Sequence, residues 1–561
     1  MIIKRLPKPT SHNKTHRETE MWVDEAIWGH RLYDEQTPWL TLLEFLGIVQ
    51  TQLEREQAFI EPENHQLEYP SYSRLYLRNI LFNNPFLEAV YAEYPTEEER
   101  WQQWLTLMND NCGGINTPNF SYLQERFIRF RDFLEVVRFL QSNAIEGDSN
   151  KRWTSKFVFP YGVNCLYEDL RISKNSYSND RRFFARNGEL LYLMISRSSL
   201  KLDILTHLKK LGIIDHKQSS KWNKLVATLQ PNDHSDTKPR GKDSSPPYLP
   251  YEHLDEFENL ANDWINLFNC HLPDYDSLPH LVTITGVHLV IYLLKRAKAV
   301  LNNEDDPRFS SESLLNSQQN LLFKSETIAN TNEDSLNSTT TLNSQDKPQL
   351  ILEIIAPKKT IIRDLASDAF LNNNNLSKRA VEHYIKRLSQ LPEWQTCLNS
   401  ANSIEDALEI IKEEIYYKKD EIKCNSPDEL LEEIRLSAIT RHKQHVGQFH
   451  SKWTKEIGLA SSRGSRRTRY APTDSLLKTL VLCCVPKRME FQEFLDTLYQ
   501  KYGFIIGEKQ AIDIIQRKEA DLEAFSDNAE RLEQRLASLG LLKRLSDACA
   551  YVLNPYTVEK T

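Results

Sequence analysis

Apolar positions recur at helical spacing through most of this chain. Pro38 opens a stretch in which Trp39, Leu42, Leu43, Phe45, Leu46, Val49 and Leu53 fall on nearly one face, which predicts a helix. Between residues 122 and 140, Leu123, Phe127, Phe130, Leu134 and Val137 alternate steps of four and three, with Arg126, Arg129 and Arg131 between them. That spacing predicts one amphipathic helix. Leu190 to Leu211 predicts another. Arg152 to Gly162 (RWTSKFVFPYG) instead predicts a short aromatic strand ending in a turn. The longest apolar-rich run, Leu281 to Leu294, is interrupted by Thr283, Thr285 and His288. A membrane span needs about 20 apolar residues, so this run predicts a buried core helix or two short elements, and no membrane crossing.

Polar stretches divide these elements. Residues 229–249 are rich in proline, serine and charge and predict a linker. Residues 302–348, dominated by Asn, Ser, Thr, Asp, Glu and Gln, bury too little apolar surface to offset chain entropy and predict a disordered insertion. The expected organisation is a helical N-terminal domain (1–150), an α+β segment (151–228), the linker, a helical segment (250–301), the insertion, a helical domain with a basic loop (349–470) and a C-terminal domain (471–561). Leu350 to Ile355 reads as a short strand or the start of a helix. Ser403 and Ser426-Pro427 are expected to open helices.

The last 90 residues carry the most specific architectural signal. Asp474 is expected to cap a helix bearing Leu476, Leu477, Leu480 and Val481, and Met489–Phe491 to form a short strand. Helices follow at Phe491–Tyr502, Glu508–Ile515 and Glu519–Leu539, the last ending at Gly540. Two short β-type runs around Ser546-Asp547-Ala548 then predict a hairpin. Helices feeding directly into a hairpin give the order of a winged helix-turn-helix. The fold class expected is mainly α and multidomain, with small β elements and a C-terminal winged helix-turn-helix-like domain.

Composition narrows the chemistry. Glycine is scarce, 16 in 561 residues, and no G-x-G, P-loop or G-x-S-x-G pattern occurs. Dinucleotide fingerprints, phosphate-cradling loops and hydrolase elbows need glycine where backbone approaches phosphate or turns sharply. The eight cysteines are scattered without a C-x-x-C pair, which fits reduced, packed thiols in a cytoplasmic protein. The N-terminal sequence lacks the apolar run of a signal peptide. Net charge is −8, yet Arg441 to Arg488 holds eleven Lys/Arg against two acids. Such local reversal of sign points to an anion-binding surface on an acidic protein.

Within that stretch, Arg463-Gly464-Ser465-Arg466-Arg467-Thr468-Arg469 places four arginines in seven positions, followed by Lys487 and Arg488. Guanidinium forks match phosphate bidentately. Arg463, Arg466, Arg467, Arg469, Lys487 and Arg488 are therefore the candidate nucleic-acid contacts, against the plainer reading of a solvated loop or one paired with acids elsewhere in the chain. The helix expected at 519–539 cuts the other way: six acids against Arg531 and Arg535 make it a poor major-groove reader. A second anion site is expected at Arg181, Arg182 and Arg186, where arginines alternate with Phe183 and Phe184. A structural ion-pair network under a turn is the plainer reading there. Glu168, Asp169, Asp180 and Glu189 nearby make a metal-dependent nuclease conceivable, but the acid-x-lysine spacing of a common nuclease core is missing. His442, His445 and His450, and Cys270, His271, His280 and His288, match no zinc-site spacing and read as ordinary core or surface residues. No catalytic residue, metal or cofactor is expected.

Arg152–Gly162, Asn179–Leu193, Arg466–Pro486 and Leu539–Pro555 together resemble accessory proteins encoded in multi-gene bacterial anti-phage defence clusters, those of methylation-associated defence first, with BREX-like and DISARM-like systems as relatives in style. The resemblance covers most of the chain outside 229–249 and 302–348. It implies a cytoplasmic, non-motor subunit acting in a protein complex, and it transfers no active-site residues. The resulting expectation is a non-catalytic DNA- or partner-binding subunit of a defence system. A metal-dependent nuclease effector and a purely protein-binding scaffold are the alternatives.

Overall fold

In a computed structural model of the chain, the structure describes residues 4–6, 23–147, 156–303 and 349–557, apart from 33–35, 169, 174–175, 180–185, 219, 233–236, 240–247, 274, 356–364, 366–368, 401–402, 416–423, 463–467 and 547–548. The fold is mainly α-helical with small sheets. The N-terminal helices are α1 (Val23–Trp28), α2 (Pro38–Glu54), α3 (Leu75–Phe82), α4 (Leu87–Glu93), α5 (Glu97–Asn111), α6 (Tyr122–Arg126), α7 (Phe130–Ser142), α8 (Asn187–Ser196), α9 (Lys201–Lys210), α10 (Lys221–Ala227), α11 (Asp255–Asn269) and α12 (Ser277–Leu301). The insertion expected at 302–348 lies almost wholly outside the described residues. Within the expected linker, Thr237–Pro239 pairs antiparallel with Pro70–Tyr72.

Helix α12 is the axis of the molecule. Its 25 residues are buried on nearly every side, as a helix apolar all round must be. It alone among the described helices is long and apolar enough to cross a membrane, and most of it is enclosed by the fold. Helices α1, α2 and α11 pack on it, tied by Trp28 Nε1 donating to the Leu293 carbonyl (3.2 Å), the Tyr292 hydroxyl to the Trp28 carbonyl (2.6 Å) and Trp264 Nε1 to Thr285 Oγ1 (3.1 Å). At Gly286 a Cβ would stand 2.4 Å from Ile457 Cγ2, so glycine is what lets that residue approach the helix.

The C-terminal half continues with α13 (Ala369–Asn374), α14 (Leu376–Leu388), α15 (Pro392–Asn399), α16 (Ser403–Ile415), α17 (Pro427–Gln444), α18 (Val446–Glu456), α19 (Asp474–Cys484), α20 (Phe491–Tyr502), α21 (Ile512–Gln516) and α22 (Leu522–Ser538). Helices α14, α18 and α19 also pack on α12. One buried apolar cluster therefore contains residues from Val23 to Val552.

A buried polar knot fastens the two halves. Asp263 on α11 is fully buried. Its Oδ2 lies 2.6 Å from His288 Nε2 on α12 and accepts the Tyr502 hydroxyl of α20 at 2.7 Å, while Oδ1 pairs with the Lys501 ammonium. Burial works to lower the Lys501 pKa, but the adjoining carboxylate outweighs it and the net shift is upward, so the ammonium stays charged. Around the knot, Asn266 Nδ2 donates to the Cys483 carbonyl (2.8 Å), His280 Nδ1 lies 2.7 Å from Thr479 Oγ1, and Asn554 Nδ2 donates to the Val485 carbonyl (2.9 Å).

Several elements depart from the sequence expectation. The single helix expected at 122–140 is two, α6 and α7. Phe127 and Arg129 adopt extended backbone between them, and Glu97 Oε2 captures the Phe130 N–H at 2.5 Å. Leu190–Leu211 is likewise split into α8 and α9: the Ser199 N–H bonds Glu258 at 2.6 Å, and Arg197 reaches across to the Leu249 carbonyl. In both cases a side chain from elsewhere takes a backbone donor that helical spacing would have kept in the ladder. Thr473, not Asp474, caps α19, its Oγ1 accepting from the Leu476 N–H. The third C-terminal helix is only Ile512–Gln516, and Lys518 at φ 59° delays the fourth to Leu522. Of the aromatic strand expected at 152–162, Lys156–Phe157 is a strand, pairing with Ile145–Glu146. All eight cysteines are free thiols.

Replacing Asp263 with alanine leaves the Lys501 ammonium, Tyr502 and His288 without their shared acceptor. A loss of roughly 3–5 kcal/mol is expected from breaking a buried pair on one side. Urea unfolding of Asp263→Ala beside wild type measures it, and a change under about 1 kcal/mol would remove the knot from any account of stability.

Candidate functional site

The arginine-rich stretch connects two paired strands. Ala460–Ser461 runs antiparallel to Arg469–Tyr470, in register Ala460 to Tyr470 and Ser461 to Arg469. Arg463, Arg466 and Arg467 fall in the connection and lie outside the described residues. The base beneath it is well fixed. The Ala471 N–H donates to the Leu459 carbonyl and the Thr473 N–H to the Gly458 carbonyl, both at 2.8 Å. Gly458 has φ 75°, and a Cβ there would stand 2.2 Å from Thr473 Oγ1, so only glycine fits the crossing.

Tyr470 is the anchor. Its side chain is buried against Phe370 (ring centroids 5.0 Å), its hydroxyl lies 2.9 Å from His450 Nε2, and its carbonyl accepts the Glu353 N–H at 2.8 Å. The next residue out, Arg469, pairs with the Glu353 carboxylate at 2.8 Å and is 38% exposed. One of the four expected phosphate contacts is thus already held by an internal acid.

Lys487 and Arg488 sit beyond α19. Arg488 belongs to a three-stranded antiparallel sheet: Arg488–Glu490 pairs with Cys549–Leu553, which pairs with Leu542–Ser546. Register alternation places Arg488, Glu490, Tyr551 and Lys543 on one side of this sheet, opposite buried Val552 and Leu542. The Arg488 guanidinium lies 5.6 Å from the Tyr551 ring centroid. The order of elements is helix, strand, helix, short strand, short helix, helix, hairpin; the short strand Phe504–Ile505 pairs parallel with Leu350–Ile351, and the hairpin's second strand lies in the middle of the three-stranded sheet. Helix α22 presents Glu523, Asp527 and Glu530 to solvent, and its Glu533 pairs with Arg544 of the hairpin at 2.8 Å.

At the second expected anion site, Arg186 is 5% exposed and donates from Nε to Glu189 Oε2 at 2.7 Å. Glu189 is fully buried and also accepts the Tyr69 hydroxyl at 2.7 Å, with His30 Nε2 3.2 Å away. Arg186 is therefore part of a buried ion pair at the start of α8. Arg181 and Arg182 lie outside the described residues, as do Asp169 and Asp180. Among the described residues, no three His, Cys, Asp or Glu are grouped to hold a metal ion. Of the group near 270–288, three go to separate partners: His288 to Asp263, His280 to Thr479, Cys270 to Asn554.

Sequence reasoning missed two residues. Glu353 precedes the 356–364 segment with no motif to single it out. Asp263 had a visible signal: it sits on the stripe Phe257, Leu260, Ala261, Trp264, Leu267, where an acid needs a partner.

Burial holds His450 near pH 3 and His442, where Lys378 adds to it, near pH 4. Both are neutral in the fold and titrate near 6.5 when unfolded. The unfolded chain then binds protons that the fold refuses, so stability is full above about pH 6.5 and falls as pH drops toward 4 and 3. The slope is about 1.4 kcal/mol per pH unit for each histidine. Unfolding measured at pH 7, 6 and 5 should show this decline, shallower by one proton equivalent in His450→Gln. An unchanged slope in that variant would contradict the assignment.

No curated protein and no solved structure matches the chain. Residues 369–553, about a third of the chain, do match a family model. That span holds the hairpin, the arginine loop, α19 to α22 and the three-stranded sheet, together with Lys501 and Tyr502, but not Asp263 or His288. Two of the four stretches that carry the sequence resemblance overlap it, Arg466–Pro486 wholly and Leu539–Pro555 as far as residue 553. Over residues 369–553 the chain resembles a family of defence-system components, described as methylation-associated defense system protein MAD7.

Proposed function

We propose that the chain is a non-catalytic, cytoplasmic subunit of a multi-protein anti-phage defence system, and that its C-terminal region contacts DNA. In this reading residues 471–561 form a winged helix-turn-helix-like unit. The arginine loop at the end of 349–470 is the arm that grips the phosphate backbone. The observation that carries it is that the arginine-rich sequence connects two paired strands whose base is fixed at Gly458, Tyr470 and Thr473, directly ahead of α19. A loop whose base is pinned loses less entropy on binding than a free tail. The helices that run into a terminal hairpin and the central placing of the last strand in its sheet support the winged-helix assignment.

The charge pattern favours positioning over base reading. Helix α22 would bring Glu523, Asp527 and Glu530 toward phosphates if it entered a groove, and that repulsion disfavours it as a recognition helix. Arg463, Arg466 and Arg467, with Lys487, Arg488 and Lys543, would instead supply sequence-independent, salt-sensitive affinity. The same acidic face of α22 favours a second reading, in which that surface docks a basic partner protein of the system. The Arg186–Glu189 pair, enclosed as it is, speaks against a nuclease centre at that turn.

Fluorescence anisotropy with duplex DNA across salt concentrations tests the proposal. Each phosphate contact contributes about −0.9 to the slope of log K against log salt. Arg463→Ala/Arg466→Ala/Arg467→Ala should make that slope shallower by about 2–3. Arg469 is left in place because its loss would also break the pair with Glu353. Equal binding by the triple variant would exclude the loop, and no binding by wild type would leave the protein-docking reading.

A further inference from the structure

A second anion site stands apart from the arginine hairpin, and its case does not depend on the DNA reading. The end of α9, the start of α10, the end of α11 and the start of α12 enclose a cleft of about 720 Å³. That falls within the roughly 300–1,000 Å³ of small-molecule sites. None of its lining residues belongs to the 369–553 match or to the candidate DNA contacts.

Its charge is one-sided. Lys210 in the last turn of α9 and Lys221 in the first turn of α10 line it, both exposed and neither ion-paired among the described residues. His207 and His271 line it too, and among the described residues no Asp or Glu does. Among the described lining residues the formal charges, those of Lys210 and Lys221, are both positive.

The walls are aromatic. Trp222 stacks on Phe139 (centroids 4.5 Å, planes 15° apart) and keeps 41% of its surface exposed. Phe268 carries His207 stacked at 5.0 Å, and Tyr275 is held by its hydroxyl donating to the Tyr161 carbonyl at 3.0 Å. Such surfaces accept a planar ring with little loss of side-chain freedom.

Ser277, the first residue of α12, also lines the cleft; it is 4% exposed and its Oγ has no hydrogen-bond partner. A buried hydroxyl left unpaired is costly unless something completes it. The residue ahead, Asp276, makes no side-chain cap; the Leu278 N–H donates to the Tyr275 carbonyl at 3.0 Å and Pro279 has no N–H, so the Ser277 hydroxyl is the unmet group at this helix start.

Two exposed lysines and a buried, unpaired hydroxyl are the groups for a phosphate, and Trp222 with the half-buried Phe268 and Tyr275 offers rings for a base. The geometry points to a binding site for a nucleoside phosphate, free or as the terminal residue of a strand. An inorganic anion would leave the rings unused, and an uncharged ring compound would leave the lysines unused.

Titration calorimetry of the full chain tests this with ribonucleoside mono- and triphosphates, a 5′-phosphorylated dinucleotide and inorganic phosphate. Saturable binding of a nucleotide or the dinucleotide is expected, and whichever binds more tightly identifies the source. Lys210→Ala/Lys221→Ala should weaken it at least tenfold, and Trp222→Leu at least threefold. The charge-keeping Lys210→Arg/Lys221→Arg should restore most of it, with thermal midpoints checked for all variants. Arg463→Ala/Arg466→Ala/Arg467→Ala should leave it unchanged, which separates this site from the DNA arm. The inference is overturned if no nucleotide or dinucleotide binds, if the lysine pair can be removed without effect, or if inorganic phosphate binds as tightly as the nucleotides.

Discussion

The Asp263 carboxylate is the constraint on which the arrangement of the two halves rests. Excluded from water on α11, it must find donors, and it finds three on two other elements: His288 of the central helix, and Lys501 and Tyr502 of α20. A buried ion pair contributes little net stability over apolar packing, because desolvating both charges offsets their attraction. Its effect lies in direction. Apolar surfaces of α11, α12 and α19 could slide against one another at small cost, but a carboxylate that needs an ammonium, a phenol and an imidazole at once accepts one register. Neighbouring thiols join as packing: burial pushes the Cys484 thiol up to about 12, and it stays protonated beside the Tyr502 hydroxyl.

Holding α19 and α20 in that register has consequences further out. Helix α19 begins at Thr473, whose N–H is bonded to Gly458 at the base of the arginine hairpin. Tyr470, three residues before Thr473, is fixed by His450 and Phe370. A continuous chain of packed groups therefore links the central helix to the base of the arm. The proposed DNA contact would be made by a loop mounted on the body, and a load on the arm would pass to α11 and α12.

Much of this was legible in the residues. The C-terminal helices and hairpin were readable because each is closed by local chemistry: Gly503 after Phe491–Tyr502, Gly540 after α22, a polar turn between the last two strands. The helices that were misjudged, at 122–140 and 190–211, are cut by Glu97 and Glu258, acids distant in sequence that no periodicity reveals. The arginine loop could be found from charge alone, whereas the Glu353 partner of Arg469 required the fold. The cleft at Lys210 and Lys221 was invisible for a similar reason: its cations, rings and hydroxyl come from four elements, and no two of them form a motif.

Native-state hydrogen exchange on the full chain tests the central claim most directly, that the C-terminal helices are fastened into one body with the α11–α12 core. The account predicts that the slowest amides of α19 and α20 exchange with the same opening free energy as those of α11 and α12, since the Asp263 knot must open for either pair to separate. Release of α19 to α22 and the final sheet as a distinct unit of lower opening energy, with α11 and α12 still protected, would contradict it.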